Sequence, residues 1–315
     1  MATEAAAILF GGTLRSTHLR DAIGLPALAL PMNGTHSLAD LWANCLTSTT
    51  PAACVRIVMN TDEDVQSVLD LSASHNEGGD GLLVGQADPA AWRGAGGILF
   101  DVTRDLPSDA IVFVAEGHRL PPATVTPILE ALERDASIGG VVGVCGIDQP
   151  AGVYAFRRSA IDEVQSVGYC DLKEQMLPML TKAGHRLVTA RIGDRASQRI
   201  HDRRTFLDAV HAHANAVHEL VSVSRAATVA DDVLVDGYCT VSEGAIVENR
   251  CVLHNCVIAA GATIGAGAVI SNSIIGPGAI VEPNRRVIST VEAERAMVLE
   301  HRGPVSKKQS VVEGI

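Results

Sequence analysis

The sequence predicts an α/β chain in two parts: a doubly wound, largely parallel sheet covered by helices over residues 1–196, and a short stack of three-faced β coils over residues 225–290. Two observations carry this. In the first part, short and almost wholly apolar runs alternate with helical patterns, as strands do when helices cover both faces of a sheet. In the second, aliphatic residues recur every five or six positions, a period that belongs neither to a helix nor to an alternating strand. Composition agrees: with 3% aromatic residues, the core is built from Ala, Val, Ile and Leu.

The first part is read in order. "AAAILF" is a strand, "SLADLWANCL" a helix, "ACVRIVMN" a strand, "DEDVQSVLDLSAS" a helix, and "GLLVG" a strand. "AGGILFDVTRDL" starts a helix, "DAIVFVAEG" is a strand, "PATVTPILEALERD" a helix, and "IGGVVGVCG" a strand. The first strand runs into Gly11 and Gly12, a turn whose freed backbone N–H groups, with Thr13 beside them, suit a nucleotide phosphate. Ligands of such sheets bind beyond the carboxyl ends of the strands, where the strand order reverses. Alone, a glycine pair after a strand equally marks a simple tight turn.

Residues 197–224 hold one amphipathic helix joining the parts, because Phe206, Leu207, Val210, Ala214, Val217 and Val221 recur at helical spacing. In the second part Val229, Val235, Val241, Val247 and Leu253 are six apart. Ile258, Ile264, Ile270, Ile275, Val281 and Val287 follow in steps of five or six, with Gly, Ala, Ser and Asn between them. One inward aliphatic per flat face, with small residues at the corners, resembles the left-handed parallel β-helix of hexapeptide-repeat proteins. Three to a coil, these positions give three to four coils, a short stack whose open ends need covering. Residues 291–315 are a tail, and 303–315 carry no clear pattern.

A formal charge of -11 argues against nucleic acid, which needs clustered Lys and Arg. No stretch is long and apolar enough to span a membrane. Cysteines 45, 54, 145, 170, 239, 251 and 256 contain no CxxC pair and sit in apolar stretches, which suits reduced thiols and a cytoplasmic protein. Cys251 with Cys256, and His211 and His218 on one helix face with His213 nearby, each allow a metal reading beside the simpler one of packed or solvated side chains.

The order of strand, glycine turn, complete α/β domain and terminal hexapeptide coil resembles the sugar-1-phosphate nucleotidyltransferases, or nucleotide-sugar pyrophosphorylases, over residues 5–290. "RGAGGIL" is similar to their nucleotide-contacting GTAGAL, "DAIVFVAEGH" to a strand ending in xNGD, "GVYAF" to GxYxF, and "IHDRRTFLDA" to IGTPESYLEA. The resemblance implies a Rossmann-like doubly wound nucleotidyltransferase domain with a C-terminal left-handed β-helix. It also implies nucleotide contacts at Gly11, Gly12, Thr13, Gly94, Ala95 and Gly96. The family reaction joins a nucleoside triphosphate and a sugar 1-phosphate into a nucleotide sugar and pyrophosphate, using phosphate-neutralising cations and aspartates that hold Mg²⁺.

The charged positions depart from that pattern. In the signature loop GGxGTRLxP the third glycine is missing and Arg15 arrives one place early. Ala27 stands at the lysine of PKPL, His118 at the aspartate of NGD with Glu116 two residues before it, and Arg199 at the aspartate of DIG. A guanidinium cannot ligate a cation. The segment between "GIDQP" and "AGVYAF" is cut away, with Asp148, Gln149 and Pro150 as a remnant of EKP.

Arg15, Glu116, His118 and Arg199 are therefore the candidate catalytic residues. Asp101, Asp105, Glu116 or Asp202 could take over a metal role, or Arg15, His118 and Arg199 could form a cation-free phosphate site. The favoured reading is a nucleotidyltransferase-like pseudoenzyme with impaired catalysis that binds a nucleotide or nucleotide sugar in a regulatory or assembly role. It forms homo- or hetero-oligomers through the β-helix. One alternative is an active transferase using Mg²⁺; another is a hexapeptide-repeat acyltransferase with His254 as general base.

Overall fold

The computed structural model describes residues 5–11, 17–72, 83–87, 91–194 and 197–293. Gly12, Thr13 and Arg15 lie outside them, as does the tail from 294 onward. Among the described residues no helix is long and apolar enough to cross a membrane.

A seven-stranded sheet forms the first part, in the order β3-β2-β1-β4-β6-β5-β7. Its strands are β1 (Ala5–Phe10), β2 (Val55–Met59), β3 (Leu83–Ala87), β4 (Ile111–Glu116), β5 (Ile138–Cys145), β6 (Gln149–Arg157) and β7 (Arg186–Gly193). β6 runs antiparallel to both its neighbours, β4 and β5, and the other pairs are parallel. Alternation along each strand divides the interior into two cores. Ala7 and Leu9 face one, with Ile57, Phe113 and the helices α2 (Leu38–Thr49) and α5 (Thr126–Arg134). Ile8 faces the other, with Val58, Val112 and α4 (Gly94–Val102). Two buried faces explain why every early strand reads as a solid apolar run.

Some helices end earlier than their apolar patterns, while α2 runs on past SLADLWANCL to Thr49. α3 (Asp62–Asp70) is capped by the Thr61 hydroxyl, which accepts from the Asp64 amide. α4 stops at Val102, before the DLP stretch. The joining helix, α8 (Arg203–Ala216), starts on a capping box of Asp202 and Thr205. It stops before Val217 and Val221, which the spacing had placed on it: Val217 is its C-cap, His218 takes a left-handed φ of 57°, and Val221 lies in a strand. His211 and His218 therefore share no helix face.

The second part is a left-handed parallel β-helix. Its first strand, β8 (Val221–Val223), falls within the stretch assigned to the joining segment, and its last, β18 (Val291–Glu292), falls just beyond residue 290. Registered pairs stack the inward residues in three columns: Val223, Val241, Ile258 and Ile275; Val229, Val247, Ile264 and Val281; Val235, Leu253, Ile270 and Val287. Val241, Val247, Leu253, Ile258, Ile264, Ile270, Ile275, Val281 and Val287 are buried as the periodicity requires. Val235, also expected inside, is 39% exposed because among the described residues no coil lies above the first one. The corners need positive φ, which explains the recurrence of Gly and Asn: Asn255, Asn272 and Ser289 form one column of corners, and Gly244, Gly261 and Gly278 another.

The two parts share a core. Tyr238, Val257 and Ile274 of the β-helix pack into the same cluster as Phe206, Leu207 and Val210 of α8 and Ile23 of α1 (His18–Ile23). The His211 ring stacks on Tyr238 at 4.8 Å, and the Gly34 amide donates to Ser222 Oγ at 3.1 Å.

Candidate functional site

The strand order turns between β1 and β4, and a crevice opens beyond their carboxyl ends. A pocket of about 180 Å³ lies there, floored by Phe10, Val114 and Tyr154 and walled by Glu116, His118, Asp171, Lys173 and Arg199. Glu116 ends β4, and four basic side chains gather around it. Lys173 Nζ is 2.5 Å from its Oε1, Arg119 Nε donates to Oε2 at 2.9 Å, His118 Nε2 is 3.5 Å away and Arg199 Nη2 3.6 Å. The Tyr154 hydroxyl donates to Oε1 at 3.1 Å.

Three loops bring these groups together. Residues 197–200 pair with 118–120: the Leu120 amide donates to the Gln198 carbonyl, the Ile200 amide to the His118 carbonyl, and an antiparallel bridge joins Arg119 to Arg199. Arg119, 8% exposed, also donates through Nη1 to the Ser197 carbonyl at 2.8 Å. Its stem passes over Gly152, which has φ 76° and where a Cβ would meet Arg119 Cδ at 2.5 Å. Lys173 is aimed by the turn at Leu172–Met176, whose start is capped by Asp171 Oδ1 accepting from the Lys173 and Glu174 amides. That turn is tied down in turn, because the Gly96 and Gly97 amides both donate to the Cys170 carbonyl.

Burial alone would raise the Glu116 pKa, but hydrogen bonds and charge from Lys173 and Arg119 override it and hold the group at about 2. Burial pushes His118 down to about 4; the Glu116 charge opposes this, while Arg199, Arg119 and Lys173 reinforce it. Tyr154 is raised by burial and by the adjacent carboxylate. At neutral pH the pocket thus holds an ionised Glu116 and a neutral His118 beside Lys173, Arg119 and Arg199. The Lys173 and Arg199 side chains are 40% and 55% exposed, and the Arg199 guanidinium makes no hydrogen bond among the described residues. Such donors can receive phosphate or carboxylate oxygens.

The donor set does not suit Mg²⁺. Both Glu116 oxygens already accept from cations or Tyr154, and among the described residues no group of three or more His, Cys, Asp or Glu is placed to hold a metal. Asp101 pairs with Arg93 at 2.9 Å, Asp202 caps α8, and Asp105 is an exposed residue beyond the end of α4. Cys251 and Cys256 face the β-helix core, and all seven cysteines are free thiols. The ring of His254 is engaged at both nitrogens, by Asp236 Oδ2 at 2.9 Å and Asn255 Nδ2 at 3.0 Å.

Among the sequence-derived residues, Glu116, His118 and Arg199 meet in the pocket and Ala95 lines it. Gly94 and Gly96 give room to the Cys170 loop, since a Cβ on either would lie within 3.0 Å of the Cys170 carbonyl oxygen. The Gly11 amide is taken by the Val58 carbonyl. Sequence reasoning missed Arg119, Tyr154 and Lys173. Tyr154 was within reach, because it lies in the quoted "GVYAF"; Lys173 was marked only by the aspartate cap before it.

Fold and pocket together define the class: a doubly wound α/β domain with a polar cleft at its strand-order switch, followed by a left-handed β-helix that packs on the domain. Residues 217–307 match the family model described as the GMPPB C-terminal domain, the β-helix-type C-terminal domain of a sugar-1-phosphate nucleotidyltransferase. The match covers the β-helix and supports that type of C-terminal domain for this part of the chain. No curated protein matches the chain.

Proposed function

We propose that this nucleotidyltransferase-like protein binds the phosphates of a nucleotide sugar or sugar phosphate without a metal ion and turns it over poorly, in a regulatory or assembly role. One observation carries the reading: Lys173, Arg119 and Arg199 converge on a single carboxylate where the reaction would need carboxylates free to hold Mg²⁺. A phosphoryl oxygen would accept from Lys173 Nζ and the Arg199 guanidinium, while Arg119 stays on Glu116. The neutral His118 can donate or accept without adding charge.

Purified protein given each nucleoside triphosphate, Mg²⁺ and a panel of sugar 1-phosphates is expected to release pyrophosphate far more slowly than about one per second; turnover at that rate or above overturns the proposal. Pyrophosphate and nucleotide sugars should raise the melting temperature equally with Mg²⁺ and with a chelator present. That shift should disappear in Lys173→Ala and Arg199→Ala.

A further inference from the structure

A second cavity, of about 390 Å³, lies between the two parts of the chain and shares no lining residue with the anion pocket. One wall is the loop at Asn33–Ser37 together with the end of α3; the other is a column of β-helix corners, Ser224, Ser242 and Ala259 with Glu243 and Pro277. Its volume falls in the range of small-molecule sites, and interfaces between domains are where such sites concentrate.

The polar groups on its walls are incompletely used. Ser242 is 6% exposed, and its hydroxyl oxygen is shut off from solvent with no hydrogen-bond partner. A buried hydroxyl left in that state costs stability, and it points to a partner that belongs there. Asn33 Oδ1 accepts from the Thr35 and His36 amides at 2.9 and 2.7 Å, which leaves the Asn33 NH₂ group to donate into the cavity. Ser224 Oγ accepts from the Ala226 amide at 3.3 Å and keeps its own proton free. The Glu243 carboxylate has neither a hydrogen bond nor an ion pair among the described residues.

The lining also limits the chemistry of the occupant. It contains no lysine or arginine among the described residues, so it offers nothing to neutralise a phosphate. It contains no Phe, Tyr or Trp either, so it gives a nucleobase no stacking surface. What remains is a mixture of hydroxyls, an amide, an imidazole and carboxylates. That mixture matches a ligand whose groups each donate and accept at once, which describes sugar hydroxyls.

We infer that this cavity binds an uncharged monosaccharide, held between Asn33 of the α/β domain and Ser242 and Glu243 of the β-helix. Because the walls come from both parts of the chain, a bound sugar ties them together and stabilises their docking.

The test uses the full chain in thermal-shift and calorimetric titrations with mannose, glucose and N-acetylglucosamine, and with the same sugars as 1-phosphates. At least one free sugar is expected to raise the melting temperature by about 2 °C or more at saturation. Ser242→Ala and Glu243→Gln should each weaken that sugar at least about tenfold. Ser242→Ala removes a hydroxyl that has no partner, so the free protein should keep or raise its melting temperature, which separates lost binding from lost folding. Arg199→Ala should abolish the additional response to the 1-phosphates and leave that to the free sugar untouched. Absence of a shift with all three sugars overturns the inference. So does a shift that survives both cavity variants, or one lost in Arg199→Ala, which would assign the sugar to the anion pocket instead.

Discussion

His118 sits between one carboxylate and three cations, and its burial decides its protonation. Its pKa falls from 6.5 to about 4, so between those values the unfolded chain binds a proton that the folded chain refuses. Stability therefore rises with pH across that window: the His118 contribution is fully present above about pH 6.5 and is lost as pH falls toward 4. Glu116 acts in the same direction further down, its contribution present above 4.5 and lost as pH falls toward 2. Denaturant unfolding at pH 4.5 and pH 7.5 should show a larger gap in stability for the native protein than for His118→Gln, which keeps polarity but does not titrate. An equal gap in the two proteins would mean that His118 is already protonated in the fold. Among the charges around His118, Glu116 favours its protonated form, while Arg199, Arg119 and Lys173 oppose it.

Strand β6 shows how an element carries a site. Its register against β5 shifts between Val142 and Val144, and Gly152 occupies the irregularity with φ 76°. This kink lets the Arg119 stem cross and reach Glu116. Gly152→Ala would combine a disfavoured backbone region with a Cβ at 2.5 Å from Arg119 Cδ. It should cost about 1–3 kcal/mol by denaturant unfolding and weaken pyrophosphate binding as Arg119 shifts. Unchanged binding would show that Arg119 holds Glu116 without that passage. The same strand marks the limit of sequence reading. β1, β2, β4 and β5 were legible because strands buried on both faces are unbroken apolar runs. Residues 147–196 yielded no element, because the Lys173 turn and β7 mix polar and apolar positions, and the order of β6 and β7 depends on pairing with strands far away in sequence. α8 was drawn too long because its apolar spacing continues into Val221, which a β coil uses just as well as a helix. Glu116, His118 and Arg199 were legible from their places in quoted motifs. Arg119 was hidden because only the pairing of 118–120 with 197–200 turns it into the site.

At the scale of the whole molecule, the question is what closes the β-helix. Among the described residues no strand stacks on the outer side of its first coil: β8 pairs with β10 (Leu234–Val241) alone, and β9 (Thr228–Val229) with β11 (Ile246–Val247) alone. At this end Leu220, Val221, Val223, Leu234 and Val235 are between 39% and 67% exposed. Gly34 touches the Ser222–Ser224 backbone but leaves these side chains uncovered. Aliphatic side chains beside unpaired strand edges are an aggregation hazard unless a partner covers them, and a second copy related by a two-fold axis offers the same edge and the same residues in return. Burying each such side chain contributes about 1.5–3 kcal/mol at most, so several together outweigh much of the cost of association. Sedimentation at micromolar concentration should therefore show a dimer. Leu234→Lys with Val221→Lys should give a monomer whose anion pocket still binds pyrophosphate, because neither residue touches that pocket. A native protein that sediments as a strict monomer, or a double variant that remains dimeric, would remove the open coil from the assembly and leave its exposed aliphatic end without a role.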